Sequence, residues 1–352
     1  MKRTYLLTAI LATTLLCFAQ QAVVNDQHHF PKTVPAGNYS GITYLGGDRY
    51  AVVNDKSPMA GFYLMTIRTD SVTGDILDVR CDSFLTSRQP NRDEEGICYV
   101  PHANSVFVSG EADGQIIEYT LDGHPTGRRL ALPDIFSTAH GNSGFEALTY
   151  NATTHRFWTT TEQTLRSDGD KPNIKKKIPN RLRLQSFTDD LQPAEQYWYV
   201  SDSSAVTSTE GTSDLGISAL AALDDGRLVV LEREIRKTKN NIGSFVHVKL
   251  FAVSPTPPTS PDRLDLQDKE RSCEPGSLLP SSGRTPDTLH KELIAEFRTR
   301  INLTARSFAN YEGMCLGPRL ADGRQLLILC ADSQNQYRGI LKDWFRSVVL
   351  AE

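Results

Sequence analysis

The stretch "NRDEEGICYVPHANSVFVSGEADG", Asn91 to Gly114, decides how this chain is read. An apolar run opens on Gly96-Ile97, a polar turn follows, and a second apolar run closes on an acid, Glu111. Short runs rich in Val, Ile, Tyr and Phe on either side of a turn form a hairpin. The same pattern occurs four more times: "YSGITYLGGDRYAVVND" (Tyr39 to Asp55), "GFEALTYNATTHRFWTTTE" (Gly144 to Glu162), "DLGISALAALDDGRLVVLE" (Asp214 to Glu232) and "YEGMCLGPRLADGRQLLILCAD" (Tyr311 to Asp332). Each opens on Gly or Ala plus an apolar residue, turns through Asp, Gly, Asn or His, and ends on Asp or Glu.

The interval from Gly41 to Gly96 is 55 residues and that from Gly96 to Ala147 is 51. Repeats of about 40 to 50 residues are the mark of propeller blades. The later intervals, 69 from Ala147 to Gly216 and 97 from Gly216 to Gly313, need insertions. The chain supplies them as "RSDGDKPNIKKKIPN" and as a Pro/Ser-rich segment at about 254–287. Two further strand candidates follow each of the first four pairs, among them "GFYLMTIRT", "GQIIEYTLD", "RLRLQSFT" and "SFVHVKLFAVS". After the fifth pair only "GILKDWFRSVVL" remains, so the N-terminal "QHHFPKTVP" is expected to supply the missing outer strand and close the ring. The expectation is an all-β fold, a single β-propeller over 34–352 of about five four-stranded blades, with a sixth built partly from the fourth unit's insertion as the alternative.

Residues 1–21 have the layout of a secretory signal peptide: Lys2 and Arg3, an apolar run from Tyr5 to Ala19, and small residues near its end. That run is short for a membrane span, which takes about 20 apolar residues. Cys17 raises lipid anchoring as an alternative, although Leu16 before it is bulky for such a site. A secreted or periplasmic protein is expected, with no transmembrane span in the mature chain. Without Lys2 and Arg3 the balance is 36 basic to 42 acidic residues, which offers no footprint for nucleic acid. Lys175 to Lys177 form the one basic run and read as a solvated loop. Five cysteines remain after Cys17, so a complete disulfide framework is excluded. A monomer acting on a small anionic or ester substrate fits these features.

In a propeller the first strand of each blade lines the central channel. The residue before each Gly or Ala start is Ser40, Glu95, Glu146, Leu215 and Glu312, with Asp214 one step earlier in the fourth unit. The second strands end on Asp55, Glu111, Glu162, Glu232 and Asp332. If the units superimpose, each set is a ring, and like charges gathered in this way need a cation or shifted protonation. Hard cations, Ca²⁺ above all, take several carboxylate oxygens. Glu95, Glu146 and Glu312 are therefore candidate Ca²⁺ ligands, the alternative being acids that solvate blade edges or cap turns.

The segments "RDEEGICYV", "GNSGFEALTYN", "LGISALAALDDGRLVVLERE" and "NYEGMCLG" resemble the phytase-like propeller family described as "esterase-like activity of phytase", over about Asn38 to Leu350. The resemblance implies an exported β-propeller with an acidic, metal-dependent pocket and phosphoester or ester hydrolase activity, and it points to Glu95, Glu146, Glu232, Arg233 and Glu312. The "DDPA"-type and "NN-apolar-D" segments of alkaline β-propeller phytases are absent, which separates this chain from their phytate chemistry.

On this reading Glu146, His140 and Glu232 are the catalytic candidates. Arg233 and Arg319 are substrate-binding candidates, because guanidinium grips phosphate oxygens bidentately. His140, in "TAHGNSGFE", lies close in sequence to Glu146 and suits general acid or base work, or loop hydrogen bonding. No G-x-S-x-G, H-E-x-x-H, paired C-x-x-C, P-loop or dinucleotide motif is present. Two functions stay open: a Ca²⁺-dependent hydrolase, and a non-catalytic ligand- or protein-binding propeller with a structural Ca²⁺.

Overall fold

The computed structural model describes residues 22–141, 143–204, 211–255, 286–301 and 306–351. The expected signal peptide with Cys17, and most of the Pro/Ser-rich insertion with Cys273, lie outside them. Twenty strands form five four-stranded antiparallel sheets. Strand β1 (Ala22–His29) is set aside for the last sheet. Blade one holds β2 (Tyr39–Gly46), β3 (Arg49–Asn54), β4 (Met59–Thr69) and β5 (Ile76–Pro90) in order. Blade two holds β6 (Glu94–Val100), β7 (Ser105–Gly110), β8 (Gln115–Thr120) and β9 (Pro125–Arg129). Blade three holds β10 (Phe145–Asn151), β11 (Arg156–Thr161), β12 (Arg181–Thr188) and β13 (Pro193–Val200). Blade four holds β14 (Thr212–Ala222), β15 (Leu228–Lys237), β16 (Phe245–Val253) and β17 (Lys291–Arg300).

Blade five joins both ends of the chain: β18 (Asn310–Arg319), β19 (Gln325–Asp332) and β20 (Trp344–Leu350), with β1 antiparallel to β20 as its outer strand. The N-terminal segment therefore closes the ring as expected, but the closing strand, Ala22–His29, shares only Gln27 to His29 with the expected "QHHFPKTVP", and the expected boundary at 34 leaves it out. Pairing Val23 with Val349 and His29 with Trp344 covers an outer edge that would otherwise expose unpaired backbone groups. No sixth blade occurs among the described residues.

Five apolar cores sit between neighbouring blades. Blades one and two enclose Val53, Phe62, Ile97, Val106 and Tyr119, and blades two and three enclose Phe107, Phe145, Phe157 and Phe187. Trp158, Leu184 and Val230 join blades three and four, Leu231, Val248, Tyr311 and Leu329 join four and five, and Tyr39, Tyr50, Met65, Ile328 and Phe345 join five and one. The second strands are thus buried on both faces, which is why "LVVL" and "LLILCA" run apolar without alternating. The return leg of the fourth-unit insertion pairs with blade three, where Trp198 donates its amide to Asp287 and Leu289 donates to Trp198. Cys81, Cys98, Cys315 and Cys330 are free thiols.

The inner strands β2, β6, β10, β14 and β18 surround the channel, and each carries a register break near one end. The breaks fall at Ser40, Glu95, Glu146, Ser218 and Glu312. A bulge of this kind re-aims a side chain. Below it each strand places a small residue and then an apolar one: Gly41-Ile42, Gly96-Ile97, Ala147-Leu148, Ala219-Leu220 and Gly313-Met314. The small residues let the strands approach closely. A Cβ on Gly41 would stand 2.2 Å from the Glu95 carbonyl oxygen, and one on Gly96 would stand 2.9 Å from that of Glu146. Between the bulge residues and the apolar ring beneath them lies a pocket of about 10 Å³, close to a single water.

Candidate active site at the acidic mouth

The bulges correct the fourth unit. Its counterpart of Glu95, Glu146 and Glu312 is Ser218, not Leu215. Cross-strand pairing then sets the second ring: Asp332 pairs with Asn310, Arg233 with Gly216, and the Asp55, Glu111 and Glu162 amides bond Asn38, Asp93 and Gly144. The second ring is therefore Asp55, Glu111, Glu162, Arg233 and Asp332. Glu232, expected in it, lies one residue away and so faces the other side of the strand. Its carboxylate accepts from the Tyr199 hydroxyl at 2.6 Å, the Asp202 amide at 2.9 Å and Lys291 Nζ at 2.5 Å. Those contacts satisfy it away from the channel, through an ion pair to Lys291 of its own blade and hydrogen bonds from blade three.

Arg233 reaches into the ring instead. Its Nη2 donates to Glu162 Oε1 at 2.6 Å, and its Nη1 donates to Glu312 Oε1 and to Asn310 Oδ1, the latter at 3.1 Å. Asn310 Nδ2 also donates to Glu312 Oε1 at 2.7 Å. Burial disfavours the Arg233 cation, but Glu312, Glu162 and Glu146 outweigh it and raise its pKa. The same burial pushes Glu162 up to about 7 against the pull of Arg233, and Glu312 up to about 8 with Asp332 adding to it. Burial likewise lifts Asp332 to about 6.

Glu95 and Glu146 form no ion pair among the described residues, although Arg233 pulls against the rise at Glu146. Both are pushed well above the ordinary carboxylate range, first by burial, then by Glu146 and Glu312 acting on Glu95 and by Glu162 and Glu312 acting on Glu146. Neither carboxylate has a hydrogen-bond partner among the described residues. Nearby, Asp55 Oδ1 is buried without a partner while Asp55 Oδ2 meets Lys56 at 2.9 Å. A hard cation suits this donor set. Glu95 and Glu146 fit as its ligands, and Glu312, the third ligand the sequence suggests, has its Oε1 held by Arg233 and Asn310, with no hydrogen bond to its Oε2 among the described residues.

His140 sits on the mouth loop. Arg166 Nε donates to its Nδ1 at 3.3 Å, and burial, Arg166 and Lys171 lower its pKa. It bonds none of the ring acids among the described residues. The same loop meets the ring through Gly144, whose amide donates to Glu111 Oε1 at 2.8 Å, and through Ser143, which receives Lys171 Nζ at 3.2 Å. Arg319 is at the far end of β18, half-exposed, with its Nη2 2.6 Å from Asp224 Oδ2. Seven residues of strand, roughly 23 Å, separate it from Glu312, so the fold does not bring this substrate-binding candidate to the acidic ring. Lys175 to Lys177 are exposed in a turn, as the loop reading has it.

A cavity of about 340 Å³ opens on this mouth between blades four and five. Asn310 and Asp332 form its polar end, Ile235, Phe308, Ile340 and Leu341 part of its apolar wall, and Lys237 lines it too. Sequence reasoning missed Asn310. The signal was there: it stands two residues before Glu312, on the same face of one strand.

The fold and the site together define a five-bladed β-propeller with a carboxylate-lined channel mouth. The chain belongs to the phytase-like family, "Esterase-like activity of phytase", whose profile matches residues 34–334. No curated protein matches it. Among solved structures it is similar to an endo-arabinase from Bacteroides thetaiotaomicron (12% identity, 91% of this chain and 97% of that one, TM-score 0.45). It is also similar to a member of the DUF4221 family from Bacteroides vulgatus (10% identity, 95% and 100%, TM-score 0.40) and to a streptogramin B lyase (12%, 93% and 98%, TM-score 0.38).

Proposed function

We propose that this protein is an exported, cation-dependent hydrolase of small esters, carboxylic or phosphoric, working where the acidic ring meets the cavity between blades four and five. The observation that carries the reading is shared walls: Asn310 and Asp332 line the cavity, and Asn310 bonds both Arg233 and Glu312. Substrate in the cavity is one hydrogen bond from the charged centre. Glu95 and Glu146 would hold Ca²⁺, which when bound neutralises an anionic substrate and polarises its ester. Arg233 holds Glu162 and Glu312 in place and offers guanidinium hydrogens to a developing negative charge. Glu312, pushed up to about 8, keeps its proton near neutral pH and suits donation to a leaving oxygen. The apolar wall favours an ester bearing a hydrophobic group over a polyphosphorylated one, which would call for more cations than Lys237.

The test is turnover of an ester panel graded in acyl length, beside phosphomonoesters including phytate, with Ca²⁺ and with chelator, for the parent and Glu146→Gln. Chelator-sensitive turnover that rises with acyl length and falls about 100-fold or more in Glu146→Gln is the expected result. No turnover on any substrate, with Ca²⁺ bound and the fold intact, would replace this reading by a binding propeller. The capture of Glu312 by Arg233 favours that second reading, because it lets the ring hold together without substrate chemistry.

A further inference from the structure

The opposite mouth carries a cluster that ester hydrolysis does not use. Three turns meet there: His102 between β6 and β7, His155 between β10 and β11, and Asp189 between β12 and β13. One nitrogen from each imidazole and one carboxylate oxygen all lie within 4.8 Å of one another. His155 Nδ1 is 2.9 Å from Asp189 Oδ2, and His102 Nε2 is 4.0 Å from the same oxygen. The Tyr150 hydroxyl donates to the other oxygen, Asp189 Oδ1, at 2.8 Å and stands 3.3 and 3.2 Å from Nδ1 of His102 and His155.

An ordinary surface ion pair accounts for His155 with Asp189. It does not account for His102, which a different blade brings to the same oxygen. Two imidazoles and one carboxylate are the donor set of divalent transition metals, and hard cations such as Ca²⁺ prefer all-oxygen sites. Tetrahedral Zn²⁺ with bonds of about 2.0 to 2.1 Å sets its donors about 3.3 Å apart, between the two separations seen here. The imidazoles are half-exposed, 51% and 57%, so small rotations bring them into place. Tyr150 meets the remaining requirement. Metal-binding carboxylates are held by a second hydrogen bond, and Tyr150 holds Oδ1 while Oδ2 faces both imidazoles.

We propose that His102, His155 and Asp189 form a divalent transition-metal site, of which Zn²⁺ is the representative occupant, clamping blades two and three at the face opposite the acidic ring. Three protein ligands leave a coordination position for water or a ligand. A cavity of about 190 Å³ adjoins it, walled by Tyr150, Tyr99, Pro101 and Ala152.

The experiment is calorimetric titration of the chelator-stripped mature chain with Zn²⁺, alongside visible absorption with Co²⁺ as a coordination probe. One saturable equivalent is expected, with a tetrahedral Co²⁺ spectrum. His155→Ala and Asp189→Asn should abolish it, and Tyr150→Phe should weaken it about tenfold, as losing a supporting hydrogen bond does. Glu146→Gln, which alters the other mouth, should leave it intact. The two histidines and Asp189 lie on surface turns, so thermal melts should show these variants folded. Absence of a saturable equivalent, or one that survives both His155→Ala and Asp189→Asn, would overturn the proposal.

Discussion

The two mouths of the channel are built from the same five hairpins and end in opposite chemistry. At one, the bulge and strand-end positions collect Glu95, Glu146, Glu312, Asp55, Glu111, Glu162 and Asp332 around Arg233, with Lys56 beside Asp55. At the other, the same inner strands finish in Tyr44, Tyr99 and Tyr150, with polar groups on exposed turns. Burying apolar rings stabilises, whereas gathering carboxylates away from water costs free energy unless something neutralises them. Folding alone therefore explains the far mouth's aromatic ring, though not its His102, His155 and Asp189 cluster. It does not explain the buried carboxylates of the acidic mouth, and that asymmetry is why ester chemistry is assigned there.

The comparison breaks most sharply at Arg233. Arg233→Met should cost about 3 to 5 kcal/mol in urea unfolding at pH 8, because Glu162 and Glu312 lose the cation that balances them. The loss should shrink toward pH 5, where both acids take up protons. A loss independent of pH would mean that packing, not charge, makes Arg233 matter.

Next in size is the parent protein's own response to pH. Glu162 at about 7 and Glu312 at about 8 hold protons in the fold that the unfolded chain, with an ordinary value of 4.5, has released. This stability is complete below about pH 4.5 and is lost as pH climbs through 7 to 8. Melting temperature should thus fall by a few degrees between pH 5 and 8.5. Ca²⁺ should restore part of it at the higher pH in the parent but not in Glu146→Gln. A melting temperature that does not change over that range would remove the strain argument for this mouth.

The smallest effect belongs to the far mouth. Arg319→Ala removes an exposed ion pair with Asp224 and should cost under about 1 kcal/mol, with kcat and KM on the best ester unchanged. A large drop in turnover would show that the two mouths are coupled through the channel.

Much of this architecture was legible beforehand. The hairpin repeat located all five inner pairs, and "RLRLQSFT" coincides with β12 from Arg181 to Thr188. The ring's acids in the other four blades were legible as well. The fourth unit was not. In "DLGISALAAL" both Gly216-Ile217 and Ala219-Leu220 satisfy a small-then-apolar rule, and only the bulge at Ser218 selects the second. That choice exchanges Glu232 for Arg233 at the mouth, since adjacent residues on a strand face opposite ways. Arg319 shows the other gap: a guanidinium suits phosphate wherever it lies, and only the fold puts this one seven residues of extended strand from Glu312.

By itself the sequence determined the repeat, a propeller of five or six blades, the ring's closure by its two ends, and a surplus of carboxylates at strand ends. These depend on composition and local periodicity, which are written along the chain. The tertiary structure decided which residue of each strand faces the channel, which acids share Arg233, and that two histidines and an aspartate from separate turns meet. Such facts arise from cross-strand register and from contacts between blades, where a shift of one residue reverses a side chain's direction and no local pattern records the choice.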